Sequence, residues 1–231
     1  MEFQARKKYI TEAIGTFILV FCGTGSIIIN EVSGGAVSHI GIAMTFGLIV
    51  LALIYALGDI SGAHFNPAVT FAFWRAKRFN SREVIPYIVS QTLGAVVASI
   101  LLYGMFPQNG TMGATLPSGS ILQSFILEVV LMFILMFVII NVSTGAKEKG
   151  ITAAIAIGSV VGLEAMFAGP ISGASMNPVR SLAPALVTGQ FSSVWIYLLA
   201  PFLGSSLAIL GCRAVKEPDC CSGACVNLSA K

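Results

Sequence analysis

The sequence predicts an all-α membrane protein with six transmembrane helices and two re-entrant half-helices, arranged as an inverted repeat. Three observations predict this class. The chain of 231 residues is 56% hydrophobic and 10% charged, with a mean hydropathy of +0.88, which excludes an ordinary soluble domain. Six apolar stretches can each supply the roughly 20 helical residues that cross a bilayer. A short segment, Ser61–Val69, returns in the second half as Ser172–Arg180.

The six spans are predicted where these apolar stretches lie, at 8–30, 37–58, 83–105, 120–143, 151–169 and 192–213. The first follows Arg6, Lys7 and Lys8, as in a signal peptide. No small-residue cleavage site precedes a soluble domain, so we interpret this span as a retained transmembrane helix.

We expect one domain over residues 1–231, built from two repeats and a tail. The repeats are predicted at about 8–105 and 120–213, and the tail covers 214–231. Nothing in the composition divides the chain into separate domains. The bilayer itself is therefore an expected partner, and no cofactor is implied.

The positive charges predict the orientation of the chain. Basic residues cluster at 6–8, 75–82, 147–149 and 213–231. Because short loops rich in Lys and Arg stay in the cytoplasm, both termini are predicted to be cytoplasmic, in a plasma or inner membrane. The net charge of +3 is then a topology signal and indicates no nucleic-acid partner. Arg180 is the exception, and an isolated intramembrane guanidinium is a functional candidate.

Each repeated segment is too short to span the membrane. Asn66–Trp74 contains nine mostly apolar residues, which as a helix reach about 14 Å, half a bilayer. Asparagine is a favoured N-cap and proline a favoured first residue, so Asn66-Pro67 and Asn177-Pro178 each predict the start of a short helix. The irregular backbone before each helix is allowed at membrane depth only where protein buries it or a wet cavity borders it. An aqueous pore is therefore predicted.

The two copies are predicted to enter from opposite faces, because an odd number of spans separates them. Their asparagine ends then meet near the midplane. A simpler interpretation, that Asn-Pro merely interrupts apolar helices, does not account for two copies at equivalent places. Glu12 and Glu128 form a second matched pair inside apolar runs. We favour structural acceptors for the loop N–H groups over a proton relay, since a buried carboxylate needs hydrogen bonds.

The decapeptide SGAHFNPAVT at Ser61–Thr70 resembles the signature of the major intrinsic proteins, the aquaporins and aquaglyceroporins. The second copy, AGPISGASMNP at Ala168–Pro178, is more similar to the nodulin-like branch and its bacterial relatives. The resemblance covers nearly the whole chain. It implies a homotetramer with one pore in each subunit and a passive flow of water and small neutral solutes.

The resemblance also implies how the pore works. Asn66 and Asn177 would offer amide donors to a passing oxygen, opposite an apolar wall. Backbone carbonyls would offer the acceptors, at Gly62, Ala63, His64, Gly173, Ala174 and Ser175. The N-termini of both half-helices carry partial positive charge and would exclude cations, including protons.

Selectivity is assigned by family spacing to four positions: Phe46, Ala165, Ala174 and Arg180. Strict water channels usually carry histidine where Ala165 stands, so the two alanines predict a wider and less polar pore. Glycerol, urea and undissociated metalloid hydroxides such as arsenous or boric acid would then pass with water. Phe46 is shared with water channels, and a strictly water-selective pore is the alternative.

Several further residues carry separate expectations. Ala68 completes the first half-helix motif, whereas Val179 replaces the usual alanine of the second and is expected to have a modest effect. His64 is interpreted as a pore-lining, hydrogen-bonding residue rather than a pH sensor. Glu164 is expected to accept hydrogen bonds from loop N–H groups or from Arg180.

The cysteines are expected to be reduced. Cys22 and Cys212 are interpreted as small apolar fillers of the first and sixth spans. Cys220, Cys221 and Cys225 cluster in a cytoplasmic tail, where structural disulfides are not expected. An unliganded tail is the simplest interpretation, with soft-metal binding and lipidation as alternatives.

Two other classes of protein remain open at this point. A secondary transporter with inverted repeats needs coupling-ion sites, and the chain offers no cluster of pore-facing carboxylates beyond Glu12, Glu128 and Glu164. A membrane enzyme is disfavoured, because the two histidines, His39 and His64, lie far apart and no nucleophile and base are paired. His39 is interpreted as an interfacial residue at the outer start of the second span.

Overall fold

The structure, a computed structural model, describes residues 2–143, 147–216 and 221–222, and all regular structure in those ranges is helical. The eight helices are α1 Glu2–Val32, α2 Ser38–Ser61, α3 Pro67–Arg75, α4 Ser81–Met105, α5 Ile121–Val142, α6 Lys147–Ser172, α7 Pro178–Thr188 and α8 Val194–Val215. The predicted fold class is confirmed: six long helices and two half-helices.

Six of the described helices are long and apolar enough to cross a membrane. They are α1, α2, α4, α5, α6 and α8, and they correspond in order to the six predicted spans. The predicted ends are wrong by a few residues. The sixth helix in the chain, α6, continues past Pro170 to Ser172, although the sequence predicts its end at 169.

Glycines bring the long helices of each half together. An added Cβ at Gly94 in α4 would lie 2.1 Å from the carbonyl oxygen of Ala13 in α1. In the second half, an added Cβ at Gly204 in α8 would lie 2.3 Å from the carbonyl oxygen of Val129 in α5. Small residues allow such close crossings where no hydrophobic force holds helices together in lipid. The two crossings therefore repeat the same packing, next to Glu12 and Glu128 respectively.

The half-helices α3 and α7 begin as the sequence predicts. The Asn66 Oδ1 accepts a hydrogen bond from the backbone N–H of Ala68 over 2.9 Å, and Pro67 is the first helical residue. The Asn177 Oδ1 accepts from the N–H of Val179 over 3.2 Å. The β-branched side chain at that position is buried, and the cap persists. The half-helices contact each other inside the bundle.

The contacts at the helix ends define two faces of the bundle. One face, named here the terminal face, carries the start of α1, where Lys8 pairs with Glu83 in α4 at 3.6 Å. On the same face, Arg78 Nη2 donates to the carbonyl oxygen of Ser143, at the end of α5, over 2.8 Å. The opposite face, named here the Arg180 face, carries the end of α1, the start of α2 and the connection from α4 to α5.

The expectation of reduced thiols is wrong for one pair. Cys212 at the end of α8 forms a disulfide with Cys221, and both side chains are buried. Their Cα atoms lie 6.1 Å apart, a separation that a disulfide requires and that sequence spacing does not reveal. Cys22 is a free, half-buried thiol.

The proposed soft-metal tail loses one of its three thiols through this disulfide. Cys220 and Cys225 lie outside the described residues. Within the ranges that the structure describes, no group of three or more His, Cys, Asp or Glu side chains could hold a metal ion.

Candidate functional site

Two irregular segments, 62–66 and 173–177, meet inside the bundle and have the same backbone conformation. Ala63 and Phe65 have φ values of 51° and 48°, and Ala174 and Met176 have φ values of 41° and 52°. Residues with a side chain rarely adopt this left-handed region, and each such position costs about 1–3 kcal/mol. The surrounding structure must therefore hold both segments in place.

A buried carboxylate at the centre of each half holds its segment. Glu12 accepts hydrogen bonds from the N–H groups of His64 and Phe65 at 3.0 and 2.8 Å, and from the Ser61 hydroxyl at 2.7 Å. Both side-chain oxygens of Glu12 are therefore engaged by the loop. This arrangement satisfies backbone donors that would otherwise be stranded inside the bundle.

Glu128 repeats this arrangement in the second half. It accepts from the N–H groups of Ser175 and Met176, both at 2.9 Å, and from the Ser172 hydroxyl at 2.7 Å. Glu12 has one further partner, the Gln91 amide at 2.8 Å. The two halves thus share a scaffold whose remaining polar contacts differ.

A tyrosine supports each segment from the helix that follows its half-helix. The Tyr87 hydroxyl donates to the carbonyl of Ser61 at 2.7 Å, and the Tyr197 hydroxyl donates to the carbonyl of Ser172 at 2.6 Å. Sequence reasoning missed this pair. The signal in the sequence was that Tyr87 and Tyr197 occupy matching positions, each in the helix that follows a half-helix.

The two asparagines link the halves directly. The Nδ2 of Asn66 donates to the carbonyl of Met176 at 2.8 Å, and the Nδ2 of Asn177 donates to the carbonyl of Phe65 at 2.9 Å. Each amide carries two N–H groups. One is therefore used across the halves, and the second is left for another acceptor.

These segments border an internal cavity of about 150 Å³. Residues 62–66 and 174–177 form part of its lining and include the polar side chains of His64, Asn66 and Asn177. The rest of the lining is mostly apolar and includes Leu135, Ile139 and Ile157. Gly173 lies elsewhere: it borders a larger cavity of about 490 Å³ on the Arg180 face, which we name the outer vestibule after the orientation that the sequence predicts. Of the six predicted carbonyl-bearing residues, the structure therefore places five along the internal cavity.

Four residues border both cavities: Phe46, Ala165, Ala174 and Arg180. They come from α2, α6, the second irregular segment and α7, and they stand where the internal cavity meets the outer vestibule. These are the four positions to which family spacing assigns selectivity. The structure brings all of them to one boundary.

Arg180 is fixed at this boundary although its side chain is only 2% exposed. Its Nη1 donates to the carbonyl of Gly113 at 2.8 Å, and its Cζ lies 5.2 Å from the centre of the Phe46 ring. The Thr115 hydroxyl also donates to Ser181, next to Arg180, over 2.7 Å. The loop between α4 and α5 thus positions the guanidinium, a role that its irregular sequence did not indicate.

His64 is buried and borders the internal cavity. Its Nδ1 lies 3.1 Å from the Thr70 hydroxyl, and its ring stacks on Phe73 with 4.8 Å between centroids. Arg78 covers the same Phe73 ring, at 5.0 Å from its centre. Burial lowers the pKa of the Arg78 guanidinium from its ordinary value.

The expectation for Glu164 is wrong. Its side chain is fully buried, and neither carboxyl oxygen has a hydrogen-bond partner among the described residues. The loop N–H groups are instead taken by Glu128, and Arg180 is held by Gly113. Although Glu164 is next to Ala165 in α6, its carboxyl group therefore accepts a hydrogen bond neither from the loop N–H groups nor from Arg180.

Comparisons with known proteins agree with this geometry. A sequence model of the family described as "Major intrinsic protein" matches residues 1–211. Aquaporin NIP1-1 of Zea mays is 44% identical over 200 residues, which cover 86% of this chain and 71% of that protein. Nodulin-26 of Glycine max is 45% identical over 200 residues, covering 86% and 74% respectively.

A solved structure supports the fold. The X-ray structure of the aquaglyceroporin from Plasmodium falciparum superposes with a TM-score of 0.83 and covers 94% of this chain and 98% of that chain. The two sequences are 24% identical, so this likeness is evidence for the architecture alone.

Proposed function

The chain belongs to the major intrinsic protein family, and from that premise we propose that it is a passive channel for water and small neutral solutes that excludes ions and protons. The family predicted from Ser61–Thr70 is confirmed. Membership makes the chain an integral membrane protein and a transmembrane channel for water and small solutes, not an enzyme. The range of solutes and the exclusion of ions are our proposal.

The observation that carries the proposal is the composition of the boundary between the two cavities. The side chains of Ala165 and Ala174 at this boundary are single methyl groups, and Arg180 and Phe46 complete it. A constriction with two small apolar sides has room for solutes larger than water and interacts well with their carbon atoms. Glycerol, urea and undissociated metalloid hydroxides such as arsenous or boric acid are the solutes of that size and polarity.

Exclusion of ions is supported by the arrangement of positive charge. The half-helices α3 and α7 both begin at the internal cavity, and each helix N-terminus carries about half a positive charge. Arg180 adds a full charge at the outer boundary. A cation entering from either face then meets positive potential in a narrow, poorly solvated space, whereas a neutral solute does not.

The described carboxylates argue for a channel over an ion-coupled transporter. Among the described residues, the buried carboxylates are those of Glu12, Glu128 and Glu164, and none of them borders the internal cavity or the outer vestibule. Glu31 borders the outer vestibule, but it is exposed and accepts a hydrogen bond from the Asn109 amide at 2.6 Å. Glu12 and Glu128 are fully engaged by loop donors. A coupling ion would need such groups at the solute path.

A strictly water-selective pore is the second candidate, and one observation favours it. The bulky Phe46 ring lies 5.2 Å from the Arg180 Cζ and borders the same boundary as the two alanines, where it occupies space that a larger solute would need. Water and glycerol permeabilities distinguish the candidates.

The deciding experiment is stopped-flow light scattering of proteoliposomes under water and glycerol gradients, for the wild type and Ala165→His. We expect the wild type to pass both, and Ala165→His to retain water flow while losing most glycerol flow. Ala165→Ser is the matched control, because it adds a polar atom with little volume. A wild type that passes water but excludes glycerol and arsenous acid would refute the wide pore and support strict water selectivity.

We also propose a homotetramer in a plasma or inner membrane, with the terminal face in the cytoplasm. The observation that supports this orientation is a basic cluster at that face: Arg75 ends α3, Arg78 lies in the connection to α4, and Arg82 is in the first turn of α4. Labelling of Gln190→Cys and Arg82→Cys by an impermeant maleimide in intact cells tests the orientation, with labelling expected only at position 190. Chemical cross-linking of the purified protein tests the tetramer, with a ladder that ends at four subunits expected.

A further inference from the structure

α6 contains a proline close to the constriction. Pro170 lies inside the helix, and a proline has no N–H to donate to the carbonyl four residues earlier, that of Met166. The Nε2 of His39, in the first turn of α2, lies 2.6 Å from this carbonyl oxygen. Since a carbonyl can only accept, the proton of this bond belongs to Nε2. His39 thus supplies the donor that Pro170 removes.

The neighbouring glycine leaves space for this contact. A Cβ at Gly169 would lie 3.0 Å from the Cε1 of the His39 ring, closer than nine in ten real Cβ contacts. The helix that corresponds to α6 in the first half is α2, and it contains no proline between Ser38 and Ser61. The proline, and the carbonyl that it leaves without a helical donor, therefore occur in α6 and have no counterpart in α2.

The contact lies beside the constriction. Met166 directly follows Ala165, and His39, Gly169 and Pro170 border the outer vestibule together with Ala165. A shift of the α6 end would move the Ala165 methyl group relative to Arg180 and Phe46. Other hydrogen bonds hold the last two residues of α6, from Ser118 to the Ile171 carbonyl and from Tyr197 to the Ser172 carbonyl. At residue 166, one turn earlier and next to Ala165, the carbonyl has lost its helical partner and His39 supplies the donor.

We propose that His39 is a positioning residue for selectivity: by donating to the Met166 carbonyl it holds the α6 wall of the constriction at its distance from Arg180. His39 does not need to touch the solute for this effect. The inference rests on the proposed function, since it assumes that Ala165 borders the path of the solute.

The test is a double-mutant cycle in proteoliposomes. The proteins are the wild type, His39→Ala, Pro170→Ala and the double variant, with His39→Gln as the conservative variant that keeps an amide donor. Loss of a hydrogen bond of ordinary strength changes an equilibrium by about two- to tenfold, and we expect His39→Ala to change the ratio of glycerol to water permeability by a similar factor. His39→Gln should restore the wild-type ratio.

Pro170→Ala returns an N–H to α6, so His39 should then matter little. The double variant is expected to have the same permeability ratio as Pro170→Ala alone. An unchanged ratio in His39→Ala, or the same change in both backgrounds, would overturn the inference. If Pro170→Ala does not fold, the contrast between His39→Gln and His39→Ala decides, because a role for the imidazole other than donation predicts no rescue by glutamine.

The same experiment separates this inference from the proposed function. A wild type that excludes glycerol contradicts the wide pore. The His39 inference is then tested by the water permeabilities of the same proteins. A wild type that passes glycerol, combined with no coupling between positions 39 and 170, contradicts only the inference.

Discussion

The side-chain amide of Asn177 donates a hydrogen bond to the backbone carbonyl of Phe65 over 2.9 Å, and this bond ties the second half-helix to the irregular segment of the first. The reverse bond, from Asn66 to the carbonyl of Met176, has a length of 2.8 Å. Phe65 and Met176 are also the residues whose N–H groups bind Glu12 and Glu128. Each strained peptide is therefore held on one side by a carboxylate of its own half and on the other by an asparagine of the opposite half.

Replacing Asn177 by aspartate separates its two roles. Aspartate keeps the oxygen that caps α7 but cannot donate to the carbonyl of Phe65, and a buried carbonyl without a donor costs about 1–3 kcal/mol. We expect Asn177→Asp to lower the thermal unfolding midpoint and water permeability, and Asn66→Asp to act similarly through Met176. Thermal unfolding in detergent and stopped-flow measurements check this. Equal stability of wild type and both variants would show that the cross-half bonds contribute little.

Much of this site is readable from sequence because its signals are local. Asn66-Pro67 and Asn177-Pro178 specify a cap and a first helical residue within two positions, so the starts of α3 and α7 are predicted correctly. Buried carboxylates in apolar helices are so costly without partners that Glu12 and Glu128 indicate nearby donors. Both inferences depend on chemistry that neighbouring residues define.

The parts that sequence reasoning missed depend on distant contacts. The loop from α4 to α5 has no hydrophobic period, and its Gly113 carbonyl reaches Arg180 only through the tertiary fold. The Cys212–Cys221 disulfide likewise depends on where the chain turns after α8. For Glu164 the residue type suggested a partner, but the helix phase turns the carboxyl away from the loop donors. Helix phase of about 100° per residue separates it from Ala165, which borders the pore.

Glu128 and Glu164 offer a contrast within one protein. In Glu128→Gln an NH₂ group replaces one acceptor oxygen opposite bound donors, and we expect a loss of about 1–3 kcal/mol of stability. In Glu164→Gln no hydrogen bond is lost, because the carboxyl has no partner among the described residues. The unfolding midpoint of Glu164→Gln should equal or exceed that of the wild type, since an unpaired buried carboxyl is itself costly. Thermal unfolding of both variants in the same detergent measures this.

An equal loss of stability in both glutamine variants would contradict the assignment of Glu128 as the loop acceptor. Glu12→Gln is the matched variant in the first half. It should behave like Glu128→Gln, because Glu12 binds the corresponding loop N–H groups.

Removing the guanidinium of Arg180 should change selectivity more than flow. Arg180→Ala removes a permanent positive charge from the outer boundary and enlarges it, so we expect higher glycerol permeability and a measurable proton leak. Arg180→Lys keeps the charge but loses the planar donors, and should restore proton exclusion better than solute selectivity. A pH-sensitive dye inside proteoliposomes reports the leak, with Arg82→Ala, at an exposed position on the terminal face, as the control. A proton-tight Arg180→Ala channel would assign exclusion to the half-helices instead.

Gly23 in α1 controls the position of the Phe46 ring. An added Cβ at Gly23 would lie 2.2 Å from Cε1 of Phe46, so Gly23→Ala must displace the ring. The ring packs against Gly23 and borders the constriction together with Ala165 and Arg180, so we expect a ring displaced from α1 to move towards them. We therefore expect Gly23→Ala to reduce glycerol permeability more than water permeability, because the larger solute loses its clearance first.

Gly104→Ala is the matched control, since an added Cβ there meets no atom within 4 Å and the substitution is likewise within a long helix. It should leave both permeabilities unchanged and slightly raise stability, because alanine is the better helix former. Stopped-flow measurements on the two variants, at equal protein density, compare them directly. If Gly23→Ala lowers both permeabilities by the same factor, the displaced ring blocks the path as a whole and Phe46 does not discriminate between solutes. If it changes neither, the ring moves elsewhere and Phe46 does not limit the constriction.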